Sequence, residues 1–395
     1  MIQSFNFARI PNILFGPGKL GELIKMVPQF GKNILFVTGT KSLKKSGKWD
    51  EIESKMDKAT LKHWQVTITN EPSPQLIDEI VSKYREKEIN LVVGIGGGSV
   101  TDAGKAISAM LLKSDSIKNY LEGVGNKQHD GKKIPYIAIP TTSGTGSEAT
   151  KNAVISEVGA NGFKKSLRHD NLVPDYAIID PDLMVSCPPP ITAACGLDAF
   201  TQLLEAYVSS NANPITDSLA YSGMEQIKDA LIPACTTGAS NIEIRTSMAY
   251  GSLLSGITLA NAGLGVVHGL ASAIGGFFSI PHGVICGTLL AEATKKNIQK
   301  LKNSGQYGKL SLLKFAKVGF LLSSNNCFKT DEIQTYNLNL VSTLQRWIDD
   351  LHIPRLSNYG IKIENIDEIL KSTSLKNNPI TLATDEIAEI IQNRL

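Results

Sequence analysis

Four side chains in the second half of the sequence have the types and spacing of a metal site. Asp198 and Gln202 lie four residues apart in GLDAFTQLLEAY, so a helix there would turn both side chains to one face. His268 and His282 lie in a run from residue 246 to 291 that contains no Asp, Glu, Lys or Arg. Such a run is typical of buried chain, where an imidazole needs a partner. A shared divalent metal would satisfy all four side chains.

Two other interpretations of this run stay open. Either histidine alone could be a hydrogen-bonded residue of the core, although a pair with an upstream carboxylate favours a metal site. The run is also long enough to span a membrane. However, Asn261, Pro281, both histidines and repeated glycines interrupt it, which favours a buried segment of a soluble protein.

A glycine-rich turn in INLVVGIGGGSVTDAGKAI follows a predicted strand and precedes a predicted helix. Gly97 and Gly98 would let backbone N–H groups approach a phosphate, and Ser99 would lie at the positive end of the helix dipole. The strict GxGxxG spacing is absent, so a structural turn is the alternative. A second loop, IPTTSGTGSEAT, could bind ribose, phosphate or nicotinamide, or could simply be a capping turn.

The end of an earlier strand helps to choose the dinucleotide. NAD-binding proteins usually place an acidic residue there, which holds the ribose hydroxyls and repels a 2′-phosphate. Here the strand ends at Thr38, Gly39 and Thr40, followed by Lys41. This pattern favours NADP over NAD, unless the lysines are only the exposed start of a helix.

The predicted cofactor residues and the predicted metal ligands lie in two regions of the chain with different secondary-structure patterns. The first 185 residues alternate β-branched runs with helical patterns, which predicts a doubly wound, mostly parallel sheet covered by helices. The predicted strands are 12–16, 33–38, 64–69, 89–97 and 134–140. The intervening helical patterns are KLGELIKMV, SPQLIDEIVSKYREK and SVTDAGKAISAMLL.

The pattern changes after Asp180 and Pro181, and three prolines from 188 to 190 interrupt the chain. Strand signals give way to helical ones, which predicts a dinucleotide-binding α/β domain over 1–185 and an all-helical metal-binding domain over 186–395. Asn213, Pro214 and Thr216 are typical of a helix start. The predicted helices are 191–210, 214–236, 240–260, 267–278, 283–299, 308–322, 330–350 and 380–394.

Composition narrows the class of protein. The chain has 395 residues, 42% hydrophobic and 19% charged, with a net charge of +3. This balance gives no reason to expect nucleic acid or a membrane as partner. The five cysteines include no CxxC pair, and the first residues lack a signal-peptide pattern. We therefore expect reduced thiols and a cytoplasmic protein.

The combination of GGGSVTDAGK, PTTSGTGSEAT, GLDAFTQLLEAY and the two histidines resembles the iron-containing (group III) alcohol dehydrogenase family. The resemblance covers nearly the whole chain, including FGPGKLGEL and IIDPDL. It implies the dehydroquinate synthase-like architecture of an α/β domain and a helical domain, with the active site between them. It also implies NADP or NAD, a divalent metal (Fe²⁺ or Zn²⁺) and a homodimer.

The resemblance assigns roles residue by residue. Asp198, His268 and His282 match three of the family's four metal-ligand positions. The pyrophosphate loop is matched by Gly97, Gly98 and Ser99, with Asp102 following. The second cofactor loop is matched by Thr141, Thr142 and Thr145, and Lys164 resembles a lysine that contacts the cofactor.

Two positions depart from the family pattern. Gln202 stands where the family usually has its fourth ligand, a histidine, and an amide oxygen is a weaker donor for iron or zinc. Ser272 stands where many members carry a histidine that helps to pass the proton. Proton transfer could then use Ser272, water or the ribose hydroxyls.

The resulting prediction is an NAD(P)-dependent alcohol dehydrogenase that acts as an aldehyde reductase on a small-molecule alcohol or aldehyde. A metal held by these residues would polarise the substrate oxygen while the cofactor carries the hydride. One alternative is a metal-independent reductase similar to maleylacetate reductases. Another is a nucleotide-binding protein with a decayed catalytic centre.

Overall fold

The computed structural model describes residues 4–40, 42–160 and 162–395. Its strands are β1 (Asn12–Phe15), β2 (Asn33–Gly39), β3 (Lys62–Ile68), β4 (Leu91–Gly96), β5 (Tyr136–Pro140), β6 (Asn152–Glu157), β7 (Phe163–Arg168) and β8 (Tyr176–Ile179). Its helices are α1 (Leu20–Met26), α2 (Ser42–Lys45), α3 (Lys48–Lys58), α4 (Pro74–Tyr84), α5 (Gly98–Met110), α6 (Pro189–Val208), α7 (Pro214–Cys235), α8 (Ile242–Ala262), α9 (Val266–Phe277), α10 (His282–Lys302), α11 (Gln306–Leu321), α12 (Ile333–Asp350), α13 (Ile366–Ser372) and α14 (Thr384–Gln392).

Six strands form a parallel sheet in the order β1-β8-β5-β4-β2-β3. Successive side chains of β2 point to opposite faces of this sheet, as the strand period of two requires. Leu35 and Val37 pack on one face with residues of α4 and α5. Ile34 and Phe36 pack on the other face with residues of α1 and α3. Helices therefore cover both faces, and the predicted doubly wound fold is confirmed.

The predicted strands agree with the observed ones to within two residues at each end. Three strands were not predicted. β6 and β7 form a separate antiparallel pair, and β8 joins the main sheet between β1 and β5. The β7 segment FKKSLR is rich in charge and does not resemble a buried strand, which explains why its pattern gave no signal.

Helices α6 to α14 form the second part of the chain, so the predicted helical half is confirmed. The eight helices predicted there agree with the observed ones to within four residues at each end, and α13 was not predicted. Asn213 caps α7 by accepting from the backbone N–H groups of Ile215 and Thr216, as its type and position predict. Phe200 of α6 packs edge-on against Trp347 of α12, with ring centroids 4.9 Å apart. The domain boundary near residue 186 stays a prediction.

The two halves of the chain touch where the loop after β5 meets α8. A Cβ built on Gly256 would lie only 2.0 Å from the carbonyl oxygen of Gly146, so only glycine permits this approach. Ser255 Oγ lies 3.3 Å from the carbonyl oxygen of Gly144 in the same loop. The loop that carries Thr141, Thr142 and Thr145 is thereby held against the helical half.

Among the described residues, no single helix has the length and apolar character needed to cross a membrane. Helices α8 and α9 pass such a test only when taken together, and they meet at an angle of 97°.

Candidate metal and cofactor site

Four potential metal ligands from three helices converge on one buried point. Asp198 comes from α6, His268 from α9, and His282 and Cys286 from α10; one donor atom of each lies within 4.8 Å of the others. Nε2 of His268 is 3.2 Å from Oδ1 of Asp198, and Nε2 of His282 is 3.8 Å from the same oxygen. The sulfur of Cys286 is 3.6 Å and 3.7 Å from these two nitrogens.

The orientation of the His268 ring has a clear cause. Its Nδ1 lies 2.7 Å from Oε2 of Glu205, and Oε1 of Glu205 accepts from the backbone N–H of Val267 at 2.7 Å. Because a carboxylate can only accept, Nδ1 carries the hydrogen and Nε2 faces the cluster. A carboxylate behind the outer nitrogen is the usual support of a metal-binding histidine.

The chemistry of this donor set fits a divalent metal. Nitrogen, carboxylate oxygen and sulfur are all zinc or iron ligands, and these four donors lie close enough together to share one cation. Burial lowers the pKa of His282 to about 3, so its ring is in the neutral form that binds a metal. Burial also raises the pKa of the Cys286 thiol to about 12.

Gln202 faces the other oxygen of Asp198. Its Nε2 is 3.5 Å from Oδ2 of Asp198, whereas its Oε1 accepts from Ser255 Oγ at 2.9 Å. The carboxylate cannot donate, so the group turned towards it must be the amide NH₂. The structure brings Asp198, His268 and His282 together as the sequence indicates, but it leaves the oxygen of Gln202 turned towards Ser255.

Gly97 is the N-terminal cap residue of α5, and Gly98 and Ser99 form the first turn of this helix. Gly97 supplies no side-chain cap, and its carbonyl oxygen accepts from Val100 and Thr101. The N–H groups of Gly98 and Ser99 precede the first hydrogen bond of the helix and remain available to an anion. This is the arrangement that the glycine-rich motif predicts for a phosphate loop.

The predicted phosphate loop after β4 packs directly against the second predicted cofactor loop, which follows β5. A Cβ on Gly98 would lie 2.9 Å from side-chain atoms of Thr145, and one on Gly97 would lie 3.4 Å from Thr142. Thr141 is buried, and its N–H donates to the carbonyl oxygen of Gly96. The small glycines are therefore what permits these threonines to lie beside the phosphate loop.

Asp102 and Lys105 tie the two loops together. Asp102 accepts a hydrogen bond from Ser147, and Nζ of Lys105 donates to the carbonyl oxygens of Ser147 and Asn152 at 2.8 Å and 2.6 Å. Lys105 is fully buried, and this burial lowers its pKa to about 8. The sequence suggested Asp102 as a cofactor residue, but one of its carboxylate oxygens accepts a hydrogen bond from Ser147 of the second loop.

The residues proposed to select the dinucleotide lie at the end of β2. Thr38 is buried, and its Oγ1 accepts from Nε2 of Gln65 at 2.9 Å. Gly39 is the last residue of the strand, and Thr40 is exposed just beyond it. Lys41, the fourth predicted residue here, lies outside the described residues.

Lys164 lies in β7 and forms a hydrogen-bonded ion pair with Glu71. Ser156 Oγ donates to the other oxygen of Glu71 at 2.8 Å. The ammonium group that the sequence suggested as a cofactor contact therefore has a carboxylate partner already.

One cavity of about 1150 Å³ joins the two halves of the site. Ten of the predicted site residues line it: Gly98, Ser99, Asp102, Thr145, Lys164, Asp198, Gln202, His268, Ser272 and His282. Its wall, as far as the described residues form it, does not include Thr38, Gly39, Thr40, Gly97, Thr141 or Thr142. The predicted phosphate loop and the candidate ligand cluster thus open onto the same space.

Ser272 borders this cavity one helical turn after His268. Its Oγ donates to the carbonyl oxygen of His268 at 2.8 Å, and Nζ of Lys376 lies 3.4 Å from it. The same Nζ donates to the His268 carbonyl at 3.0 Å. The hydroxyl hydrogen is therefore directed at the helix backbone.

The sequence reasoning missed three functional candidates: Glu205, Lys105 and Cys286. Glu205 lies seven residues after Asp198, which places it on the same face of α6. Cys286 lies four residues after His282, the same spacing that singled out Asp198 and Gln202. Helical spacing could therefore have pointed to Glu205 and Cys286. A buried glutamate or cysteine is common, however, so neither residue stood out by its type alone.

Two models of one protein family match most of the chain. Residues 11–181 match a family model described as iron-containing alcohol dehydrogenase, and residues 192–395 match its counterpart for the C-terminal part of the family.

Individual relatives extend this similarity over the whole chain. Long-chain-alcohol dehydrogenase 1 of Geobacillus thermodenitrificans is 33% identical over 95% of this chain and 93% of its own. NAD-dependent methanol dehydrogenase of Bacillus methanolicus is 30% identical over 99% of this chain and 100% of its own. A solved 1,3-propanediol oxidoreductase superposes with a TM-score of 0.87 and 28% identity, covering 100% of both chains.

Proposed function

The chain belongs to the iron-containing alcohol dehydrogenase family, and on that premise we propose that it is a metal-dependent aldehyde reductase that prefers NADP to NAD. Its family makes it an alcohol oxidoreductase acting on small alcohols or aldehydes with a nicotinamide cofactor. The observation that carries the proposal is the shared cavity. Asp198, His268 and His282 open onto the same space as the helix start at Gly98 and Ser99.

The metal would be held by Asp198, His268 and His282. The name of the family favours Fe²⁺, and the same nitrogen and oxygen donors also suit Zn²⁺. We keep Gln202 as a candidate ligand only with a rotated amide, because its oxygen now accepts from Ser255.

The cofactor would lie along the carboxyl ends of β2, β4 and β5. Gly97, Gly98 and Ser99 would offer backbone N–H groups to the pyrophosphate, while Thr141, Thr142 and Thr145 border it from the second loop. Asp102 would act mainly by holding that loop through Ser147. Lys164 would contact the cofactor while its ammonium group stays paired with the carboxylate of Glu71.

The preference for NADP rests on Gly39. No carboxylate occupies this strand end, so nothing here would repel a 2′-phosphate. Thr38, Thr40 and Lys41 are the neighbouring residues proposed to border that ribose. One relative is named as NAD-dependent, so the proposed preference rests on residues of this chain alone.

In the reaction, the metal would polarise the substrate oxygen and the reduced nicotinamide would supply the hydride. Glu205 holds His268 in one tautomer and one orientation. Asp198 and His268 are almost fully buried among helices α6, α9 and α10, whereas the side chain of His282 is partly exposed to the cavity. Ser272 borders the cavity beside them, and with water or the ribose hydroxyls it remains a candidate for delivering the proton.

We further propose aldehyde reduction as the physiological direction, since cells keep most of their NADP pool in the reduced form, NADPH. The five cysteines are free thiols, which fits the cytoplasm. The family resemblance suggests a homodimer.

The test is consumption of NADPH and NADH against a panel of aldehydes, using protein stripped of metal and resupplied with Fe²⁺, Zn²⁺ or Mn²⁺. Activity that needs metal and is higher with NADPH is the expected result. Activity that survives stripping would instead favour a metal-independent reductase similar to maleylacetate reductases. No turnover with any cofactor and aldehyde would favour a decayed catalytic centre.

A further inference from the structure

We propose that the thiolate of Cys286, rather than Gln202, is the fourth protein ligand of the metal. This inference rests on the proposed function, because it presumes that Asp198, His268 and His282 hold a divalent ion. It changes the expected donor set from three strong ligands and an amide to three strong ligands and a thiolate.

The distances within the cluster match the edges of a zinc tetrahedron, to which a substrate oxygen would add as a fifth ligand. Bonds of about 2.3 Å to sulfur and 2.0–2.1 Å to nitrogen place a tetrahedral sulfur and nitrogen about 3.6 Å apart. The sulfur of Cys286 is 3.6 Å from Nε2 of His268 and 3.7 Å from Nε2 of His282. A nitrogen and an oxygen ligand would be about 3.4 Å apart. The observed separations from Oδ1 of Asp198 are 3.2 Å and 3.8 Å.

Gln202, the competing ligand, approaches the oxygen of Asp198 that faces away from the two imidazoles. Both imidazoles approach Oδ1 of Asp198, whereas Gln202 approaches Oδ2. The amide oxygen lies 2.9 Å from Oγ of Ser255, a residue of α8 whose hydroxyl also contacts the carbonyl oxygens of Ser252 and of Gly144 in the second loop. Gln202 therefore acts as a positioning residue that holds the orientation of Asp198.

The placement of Cys286 follows from the start of α10. His282 is the first residue of this helix, and Cys286 follows one turn later on the same face. Cys286 is completely buried, and its sulfur lies beside both histidine nitrogens and close to the Asp198 carboxylate. The sulfur already lies within 4.8 Å of one donor atom of each of the other three residues.

A thiolate ligand would change both the net charge of the ligand set and the metal that the site prefers. When the metal binds, the thiol loses its proton to solvent, and the two negative charges of Asp198 and Cys286 balance those of a divalent ion. A soft sulfur donor in a site with two imidazoles favours Zn²⁺ or Co²⁺ more than an amide oxygen would. We therefore expect the protein to retain Zn²⁺ more tightly than a site completed by Gln202 could.

The test is cobalt substitution followed by absorption spectroscopy of the whole chain. Co²⁺ bound to a thiolate shows a charge-transfer band in the near ultraviolet in addition to its visible bands. Wild type and the Gln202→Ala variant should show this band, and Cys286→Ser should lack it. Cys195→Ser is the matched control, because this cysteine lines the same cavity without belonging to the cluster. We expect Cys286→Ser to bind Co²⁺ at least about tenfold more weakly, since even indirect supports of a ligand contribute this much.

X-ray absorption of the zinc-loaded wild type gives a second answer that needs no variant. One sulfur at about 2.3 Å is expected, and a shell of nitrogen and oxygen alone overturns the inference. Cobalt that binds with visible bands but no sulfur band overturns it while leaving the metal-dependent function intact. Failure to bind any metal overturns both.

Discussion

Glu205 lies directly behind His268, with its Oε2 2.7 Å from Nδ1 of the imidazole. The two residues come from different helices, α6 and α9, and both are buried. This contact fixes the histidine tautomer and turns Nε2 towards Asp198. The candidate metal site is therefore supported from outside by a carboxylate that is not among the residues lining the cavity in the described part of the chain.

Replacing Glu205 by glutamine should weaken metal binding. The amide keeps the shape of the side chain but removes the negative charge that strengthens the hydrogen bond to His268. We expect affinity for Zn²⁺ to fall by about 10- to 100-fold, measured by competition with a chromogenic chelator. Glu148→Gln is the control, because Glu148 is another buried glutamate that lies outside the cluster. Equal affinities of the two variants would contradict the role assigned to Glu205.

Placing aspartate at position 39 should change the preferred cofactor. A Cβ there would meet only Val100 within 4 Å, at 3.9 Å, so the strand end has room for the side chain. The new carboxylate would repel a 2′-phosphate and bind ribose hydroxyls. We expect the NADPH to NADH ratio of kcat/KM to fall by about tenfold, which corresponds to ~1.4 kcal/mol.

The Gly39→Asn variant separates charge from volume in that experiment. It adds a side chain of nearly the same size without the negative charge, so its cofactor ratio should stay close to that of the wild type. An equal shift in both variants would mean that crowding, rather than charge, governs the cofactor choice at this strand end.

Adding a methyl group at Gly256 should destabilise the contact between the two halves of the chain. The new carbon would lie 2.0 Å from the carbonyl oxygen of Gly146 and 2.7 Å from its carbonyl carbon, so backbone must move. We expect a loss of ~2 kcal/mol in the free energy of unfolding, measured by urea denaturation. Gly21→Ala is the matched control in α1, where nothing lies within 4 Å, and there we expect a gain of about 0.5–1 kcal/mol. Unchanged stability of Gly256→Ala would show that the loop and α8 can separate freely.

Removing the hydroxyl of Ser272 should have a modest effect on turnover. Its hydrogen is directed at the carbonyl oxygen of His268, so it is poorly placed to reach the substrate. We expect Ser272→Ala to lower kcat for aldehyde reduction by less than about tenfold, with an unchanged pH profile. A loss larger than about 100-fold that Ser272→Thr restores would identify the hydroxyl as the proton relay.

Local patterns in the sequence were enough to predict most elements of the fold. Strands such as β2 and β4 are short apolar runs, and helices such as α7 begin with a capping residue. Each of these elements can therefore be predicted from a few consecutive residues. The predicted cofactor loop depends on the same local information, since a strand, a turn and a helix follow one another directly. β6 and β7 were missed because a small, partly exposed antiparallel pair has no strong apolar pattern.

The sequence by itself determined the residue types available to the site and which of them share a helical face. Asp198, Gln202 and Glu205 lie on one face of α6, as His282 and Cys286 do on α10, because the helical repeat is the same everywhere. Only the tertiary structure decided which of these side chains meet. The packing of α6 against α9 and α10 sets the distances between their side chains. That packing turns Gln202 towards Ser255, brings Glu205 behind His268, and leaves the sulfur of Cys286 beside both imidazoles.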